Sequence, residues 1–500
     1  MIVSVQHTVS LCLTASQCAV TIQTTMTSLM LYLNALLLFH PAHGAFPNFY
    51  PSLRPQVFTD EKGDIDPGQP LILTPLIEQN KIKEAQSASQ VYFNGFKKEI
   101  SYSGYFTVDK QFNSNLFFWY FPAQVNSETA PIILWLQGGP GASSLIGLFA
   151  ENGPFYVKNK RGLKFRKYSW TQNHNVIYID NPVGTGFSFT TGGYAQNETK
   201  VGQDLYSALT QFFTLFPDLQ KNNFFIAGES YGGKYVPAIS YTILKNNPSA
   251  KLKINLQGLS IGNGLSDPEH QLKYGLYLYQ LGIIDSNALK IVQSYEAQGI
   301  QYIQKQQYDK AFEIFDSLLN GDLNNHTSLF KNISGFDNYF NYLYSIDPLD
   351  IEIAFMSKYL QRADVRSAIH VGNTTFSDET NIVEVNLRND VMQSVTPWIS
   401  ELLSNYRVLI YNGQLDIIVA YPLTENYLIN LSFSAADQYK TAPRYQWYVE
   451  SELAGYVKQA GNLTEVLVRN AGHMVPADQP KWAWDLISRF TGNKPFHTEL

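Results

Sequence analysis

The stretch FFIAGESYGG, residues Phe224–Gly233, decides the fold of this chain. It opens with an apolar run typical of a buried strand, and a helical pattern follows from Tyr235. Between them lies Gly-Glu-Ser-Tyr-Gly, a G-x-S-x-G pattern whose two glycines allow a sharp turn that projects the Ser230 hydroxyl from the strand end. An ordinary Gly/Ser turn also fits this pattern, because the chain has 33 glycines. The flanking strand and helix favour Ser230 as a nucleophile.

Other apolar runs on both sides of this stretch read as strands buried on both faces. They are Ile132–Leu136, Val176–Ile179, Ile254–Ile261, Val408–Tyr411 and Val466–Val468. Helical patterns alternate with them, which predicts an α/β sheet. Residues 266–385 instead repeat Tyr, Gln and Leu at helical spacing. We therefore expect a mainly helical insertion at 266–385, between a first core part at 91–265 and a second at 386–500.

A serine hydroxyl needs a base, and the base needs a carboxylate to fix its tautomer. Of nine histidines, His473 follows a C-terminal strand on a tight turn, in VLVRNAGHMVP. Asp416 follows another strand in VLIYNGQLD and, taken alone, would be an ordinary turn residue. The order Ser…Asp…His is that of α/β-hydrolases, so we predict this fold and a triad of Ser230, Asp416 and His473.

Acyl transfer also needs two N–H groups for the developing oxyanion. The N–H of Tyr231, directly after the nucleophile, is one candidate. The second should come from an early strand–helix loop, and LQGGPGASS follows the strand IILWL. Its glycines allow close approach to the reacting carbonyl, and we assign the second donor to Gly139.

Composition excludes several classes of protein. The 500 residues are 45% hydrophobic and 16% charged, which is typical of a folded chain and not of a disordered one. The net charge of −6, without a basic stripe, argues against nucleic acid as a partner. Cys12 and Cys18 are the only cysteines, which excludes a disulfide scaffold and cysteine metal sites. No H-E-x-x-H occurs, and we expect neither a metal nor an organic cofactor.

The N-terminal region reads as a secretion signal. The apolar run Leu29–Phe39 is too short to span a bilayer, so we expect no stable membrane insertion. Small residues at Ala42 and Gly44 fit signal peptidase, which predicts a signal peptide at 1–44. A buried N-terminal helix is the alternative. No basic residue precedes Arg54, and translation starting at Met26 or Met30 would give a signal of ordinary length. Residues 45–90, rich in Pro and acidic residues, read as a pro-segment or N-terminal arm.

Six N-x-S/T sequons support passage through the secretory pathway, to the outside or to lysosomes and endosomes. Their asparagines are Asn197, Asn325, Asn332, Asn373, Asn430 and Asn462.

Several motifs together resemble the serine carboxypeptidases, over about residue 90 to the C-terminus. They are WLQGGPGASS, IDNPVGTGFS, GESYGGKYVPA, IGNGLSDP and AGHMVP. The spellings WLQGGPG and YNGQLDIIV look most like the vitellogenic-like carboxypeptidases. The resemblance implies an α/β-hydrolase fold with a helical insertion, and removal of one residue from peptide or protein C-termini at acidic pH. It maps the triad and the oxyanion donors onto the residues assigned above.

The resemblance also implies substrate contacts. Glu229 would share a proton with Glu151, in ENGPF, and the protonated pair would bind the substrate's terminal carboxylate. Without this role, Glu229 would be a spacer in the turn and Glu151 a carboxylate on a helix surface. Gln137 and Gly138 would contact the substrate, and Met474 would line the pocket of the leaving residue or simply pack in the core.

Two departures from the family pattern bear on these assignments. Gln137 stands where the family has Asn, one methylene shorter, which changes the geometry of the amide. Ala142 stands where the family has Cys, so the family's disulfides are absent. Two other functions remain open at this point: an acyltransferase or esterase using the same triad, and a non-catalytic storage or binding protein. An intact triad argues against the storage protein, and a Glu229–Glu151 pair argues against an ester substrate.

Overall fold

The computed structural model describes residues 66–92, 100–157, 162–321, 326–376 and 381–497. The predicted signal peptide, the alternative starts, both cysteines and Asn325 lie outside the described residues. No helix among the described residues is long and apolar enough to cross a membrane.

A ten-stranded sheet forms the centre of the fold, in the order β1-β2-β6-β3-β7-β8-β9-β12-β11-β10. The strands from β6 to β12 in this order run parallel, and the outer strands are antiparallel. The strands of the sheet are β1 Tyr102–Asp109, β2 Ser114–Phe121, β3 Ile132–Leu136, β6 Asn175–Ile179, β7 Phe224–Glu229, β8 Leu256–Gly262, β9 Arg407–Gly413, β10 Arg444–Val449, β11 Glu452–Ala460 and β12 Leu463–Val468. A separate hairpin pairs β4 Phe155–Val157 with β5 Leu163–Phe165. Every residue of β3, β6, β7 and β12 is buried, which is why most of their residues are apolar.

Helices α3, Glu198–Leu215, and α4, Gly232–Asn246, pack together, and α4 also contacts β7 and β8. The apolar residues Leu205, Leu209 and Phe212 of α3 are buried, as their helical spacing predicts. The C-terminal helices are α14 Tyr421–Asn430, α15 Ala436–Thr441, α16 Val475–Asp478 and α17 Pro480–Thr491.

The chain between β8 and β9 is helical. Its helices are α5 Pro268–Gln271, α6 Tyr274–Gln280, α7 Ser286–Gln304, α8 Tyr308–Leu319, α9 Leu329–Ser334, α10 Asp350–Leu360, α11 Ala363–Ala368, α12 Asn381–Val391 and α13 Thr396–Leu403. The limit of 385 that the sequence suggests lies inside α12. The last helix, α13, packs on α4 and leads directly into β9.

The described part of the N-terminal arm packs on the sheet. It forms the short helices α1, Thr74–Glu78, and α2, Ile82–Ser89. Leu73 is fully buried, and its N–H donates to the Tyr105 carbonyl of β1 at 2.9 Å. The neighbouring Leu71 N–H donates to the His370 carbonyl at 3.0 Å. The arm therefore contacts both the sheet and the helical insertion.

Candidate active site

Ser230 occupies a sharp turn between β7 and α4. Its φ of +61° lies in the left-handed region, which is costly for serine. Hydrogen bonds hold the turn: the Ser230 N–H donates to the Gly262 carbonyl at 3.0 Å, and the Ser230 carbonyl accepts from Gly233 at 2.9 Å and from Leu265 at 3.0 Å. The structure thus gives Ser230 the strained strand-to-helix geometry expected of a nucleophile.

The glycines on either side of this turn are required by close packing. A Cβ at Gly228 would lie 2.7 Å from the Leu136 carbonyl oxygen, and one at Gly232 would lie 2.8 Å from the same atom. Any side chain at either position would push the turn away from β3. The G-x-S-x-G pattern therefore reflects contact with a neighbouring strand as well as turn geometry.

His473 and Asp416 are in contact, although they come from different strand ends. His473 Nδ1 lies 2.9 Å from Asp416 Oδ2, and both side chains are fully buried. The His473 N–H donates to the Phe340 carbonyl at 2.7 Å, and the two rings pack at 5.0 Å. This contact fixes the imidazole ring and aligns it with a carboxylate, as a general base requires.

Asn263, which immediately follows β8, also holds the Asp416 carboxylate. Its Nδ2 donates to Asp416 Oδ2 at 2.7 Å, and its Oδ1 accepts from the Gly413 N–H at 3.1 Å. From the insertion, the Tyr277 hydroxyl donates to the Asp416 carbonyl at 2.8 Å. The aspartate is therefore fixed from both the sheet and the insertion.

The serine–histidine hydrogen bond is not formed in this structure. Among the described residues, neither Ser230 Oγ nor His473 Nε2 has a hydrogen-bond partner. Such bonds often tighten only when substrate is present. The structure thus brings His473 and Asp416 of the predicted triad together, and it places Ser230 at the same carboxyl end of the parallel strands.

The glycine loop after β3 lies against the nucleophile turn. A Cβ at Gly138 would lie 2.4 Å from the Tyr231 backbone nitrogen and 2.7 Å from Ser230 Cβ. Gly139 has a φ of +110°, a region in which glycine is favoured. The loop backbone can therefore approach a carbonyl group bound at Ser230, as an oxyanion donor must.

Asp180 holds this loop in place. Its Oδ1 accepts from Ser143 Oγ at 2.6 Å and from the Ser144 N–H at 3.1 Å, and its Oδ2 accepts from the Phe187 N–H at 2.8 Å. Asp180 lies in the motif IDNPVGTGFS, to which sequence reasoning assigned no role.

Glu229 and Glu151 form a buried pair that Gln137 bridges. Gln137 Nε2 donates to Glu151 Oε1 at 2.9 Å and to Glu229 Oε1 at 3.2 Å. The Gln137 Oε1 accepts from Trp135 Nε1 at 2.8 Å, which fixes the orientation of the amide. Both carboxyl groups are fully buried, so Glu151 is not a helix-surface residue. It lies at the end of a π-helical turn, Gly147–Glu151.

Burial raises the pKa of the Glu151 carboxyl to about 7. Burial also raises the pKa of Glu229 well above its ordinary value, and the nearby Glu151 adds to this effect. Hydrogen bonds to Glu229 and Gln137 lower the Glu151 pKa against this effect, as does the charge of Arg166, which donates to the nearby Phe149 and Gly153 carbonyls. Two carboxyl groups in such a site hold a shared proton to higher pH than an exposed glutamate does.

The remaining candidates have clear positions. Met474 follows His473 directly and is almost fully buried. The described sequon asparagines are all exposed: Asn197, Asn332, Asn373, Asn430 and Asn462.

Sequence reasoning missed Asn263 and Asp180. Both lie in motifs that were recognised, IGNGLSDP and IDNPVGTGFS, but their roles depend on residues distant in the chain. The only signal in the sequence was that each polar residue directly follows a buried strand.

Comparisons with known proteins agree with this geometry. The family described as serine carboxypeptidase matches residues 93–493. The chain is 57% identical to the venom serine carboxypeptidase of Apis mellifera over 453 residues, which are 90% of this chain and 96% of that protein. It is 49% identical to the probable serine carboxypeptidase CPVL of Homo sapiens, over 92% of this chain and 96% of the human protein. It is 50% identical to the vitellogenic carboxypeptidase of Aedes aegypti, over 85% of this chain and 90% of that protein.

Among solved structures, the fold is similar to that of Kex1(delta)p, a prohormone-processing carboxypeptidase from Saccharomyces cerevisiae. The TM-score is 0.70 at 25% identity, over 82% of this chain and 96% of the yeast chain.

Proposed function

Because the chain belongs to the serine carboxypeptidase family, we propose that it releases C-terminal residues from peptides with Ser230 as nucleophile, His473 as base and Asp416 as its orienting carboxylate. The observation that carries this assignment is the buried Glu229–Glu151 pair, which Gln137 bridges at the foot of the nucleophile turn. Such a pair suits the recognition of a free terminal carboxylate, which an ester substrate does not have.

The reaction follows from these groups. His473 takes the proton of Ser230 as its oxygen attacks the carbonyl of the last peptide bond, and the N–H groups of Gly139 and Tyr231 stabilise the oxyanion. The histidine then gives its proton to the departing amino acid, which leaves an acyl-enzyme. Water hydrolyses this ester by the same steps in reverse.

The carboxyl pair explains the choice of chain end. While the pair keeps a proton, it can donate a hydrogen bond to the substrate's α-carboxylate. When the pair loses that proton, its negative charge repels the substrate's α-carboxylate. We therefore expect acid-favoured binding. Gln137 and Gly138 complete the carboxylate site in this proposal, and Met474, beside His473, lines the pocket of the leaving residue.

We further propose that the protein passes through the secretory pathway, to the outside or to lysosomes and endosomes. The exposed sequon asparagines support this, since N-glycans require accessible side chains. The apolar run Leu29–Phe39 supports it as a signal peptide.

The test measures hydrolysis of an N-terminally blocked dipeptide with a free C-terminal carboxylate, from about pH 4 to about pH 8. The C-terminal amide and the C-terminal ester of the same dipeptide are measured for comparison. The free acid should be cleaved best at acidic pH and the amide not at all, and Ser230→Ala should be inactive. Preference for the ester at all pH values would indicate an esterase or acyltransferase. Failure to cleave any of them would indicate a binding protein.

A further inference from the structure

Lys234 is a fully buried lysine in the first turn of α4, directly after the nucleophile turn. Its Nζ lies 3.1 Å from Asp390 Oδ2 and 3.2 Å from the Val391 carbonyl oxygen, and it also donates to the Asp390 carbonyl. A buried ammonium group is tolerated only when it is paired in this way. The proposed reaction does not use it.

The acceptors of Lys234 are at the C-terminal end of α12, in the helical insertion. The last carbonyl groups of a helix lack partners within the helix, and the helix dipole favours a cation there. Lys234, in the first turn of α4, therefore caps the C-terminal end of α12. Movement of α12 would be transmitted to that turn.

The same ammonium group faces the ring of Tyr231. Nζ lies 5.5 Å from the ring centroid, which is within the range of a cation–π contact. The Tyr235 ring packs edge-on against Tyr231 at 5.1 Å. The side chain of Tyr231 is thus held from two directions, while its backbone nitrogen faces Gly138. Because the ring and the N–H belong to one residue, fixing the ring restricts the direction of the N–H.

Buried carboxyl groups complete the surroundings. The Glu198 N–H donates to Asp390 Oδ1 at 3.4 Å, and its own carboxyl is buried. Burial raises the pKa of Glu198 well above its ordinary value, and the charge of Asp390 raises it further. Lys234 and Asp390 form the ion pair of this buried region. Glu384, on α12, is the other buried carboxyl near Tyr231 and Tyr235.

We propose that Lys234 is a positioning residue, whose ammonium group couples the insertion helix α12 to Tyr231 and so keeps the Tyr231 N–H directed at the oxyanion. This inference rests on the proposed function, in which Tyr231 is an oxyanion donor. Because the side chain of Lys234 is fully buried, its effect should appear in the chemical step and not in ground-state binding.

The test replaces Lys234 by methionine, which keeps the length and removes the charge. Lys245→Met is the matched control: Lys245 lies near the other end of the same helix and pairs with Glu401 of α13, but it is exposed. We expect kcat of Lys234→Met to fall about 10- to 100-fold, a part of what loss of a whole oxyanion donor causes, with KM unchanged. Affinity for a peptide aldehyde, which forms a tetrahedral adduct with serine, should fall by a similar factor. The control should match the wild type.

Lys234→Met leaves Asp390 unpaired, and misfolding would obscure the result. The double variant Lys234→Met/Asp390→Asn removes both charges, and its kcat is measured if the single variant misfolds. If it is folded and still has the reduced kcat, positioning by Lys234 is supported. A kcat equal to that of Lys245→Met, in either folded variant, would reduce Lys234 to a structural anchor and overturn the inference.

The two proposals fail separately. If wild type releases C-terminal residues, Ser230→Ala is inactive and the Lys234 variants are normal, only the role of Lys234 is wrong. If wild type does not cleave, or Ser230→Ala retains activity, the proposed function is itself wrong.

Discussion

Asn263 Nδ2 and His473 Nδ1 converge on one oxygen atom, Asp416 Oδ2, at 2.7 Å and 2.9 Å. The asparagine therefore restricts the carboxylate to the rotamer that faces the histidine. Its backbone has a φ of +42°, so glycine can replace it without added strain.

Asn263→Gly should lower kcat about 10- to 100-fold, the equivalent of one hydrogen bond to a charged group, and leave KM unchanged. Asn175→Ala is the control. Asn175 is a buried, hydrogen-bonded asparagine at the start of β6, and it therefore lies at the amino-terminal end of the parallel strands, away from the candidate site. Steady-state kinetics at acidic pH would measure both. Equal kcat values in the two variants would exclude a role for Asn263 in aligning Asp416.

The pH dependence of KM should follow the carboxyl pair. Burial raises the pKa of Glu151 to about 7 and raises that of Glu229 well above its ordinary value, so the pair loses its first proton near pH 7 and gains a negative charge there. KM should therefore be constant at acidic pH and rise about tenfold per pH unit above about pH 7. Glu151→Gln, which can donate without titrating, should remove most of this rise.

Glu296→Gln is the matched control for that experiment. Glu296 is a carboxyl in the insertion that accepts from the Gly275 N–H, and burial raises its pKa as well. Its replacement should leave the KM profile unchanged. A profile that shifts equally in both variants would point to a general effect of charge and not to substrate recognition.

Gly138→Ala should block the oxyanion site. The added methyl group would lie 2.4 Å from the Tyr231 nitrogen, where it must displace the glycine loop or the nucleophile turn. We expect kcat to fall at least about 100-fold, as for loss of an oxyanion donor. Thermal denaturation would show whether the variant remains folded, and a folded, fully active variant would contradict the assignment of this loop.

The N-terminal arm from about residue 70 should be part of the mature enzyme. Leu73 is fully buried, and the Thr74 hydroxyl donates to Gln211 Oε1 on α3 at 2.6 Å. Leu73→Ala should lower the free energy of unfolding by about 2–5 kcal/mol. Leu343→Ala, at a leucine that is 62% exposed, should have little effect. Denaturant unfolding measures both, and equal stabilities would favour a removable segment.

The sequence predicts much of this architecture because strands and candidate catalytic residues are adjacent in the chain. Ser230, Asp416 and His473 each follow an apolar run, so their strand-end positions could be predicted from local pattern. Asn263 could not be assigned in that way, since its partner lies 153 positions further along. Glu151 has no informative pattern of its own: only its position beneath Gln137 and Glu229 distinguishes it from a surface glutamate.

The catalytic loops and the helical insertion share hydrogen bonds. Tyr277 donates to the Asp416 carbonyl, Tyr274 donates to the Ile418 carbonyl, and the His473 N–H donates to the Phe340 carbonyl. A chimera that carried the insertion of another hydrolase on this core would lose all of these bonds, even if every triad residue were retained. The insertion and the catalytic loops therefore have to change together, and swapping one of them alone is not a route to new substrate specificity on this scaffold.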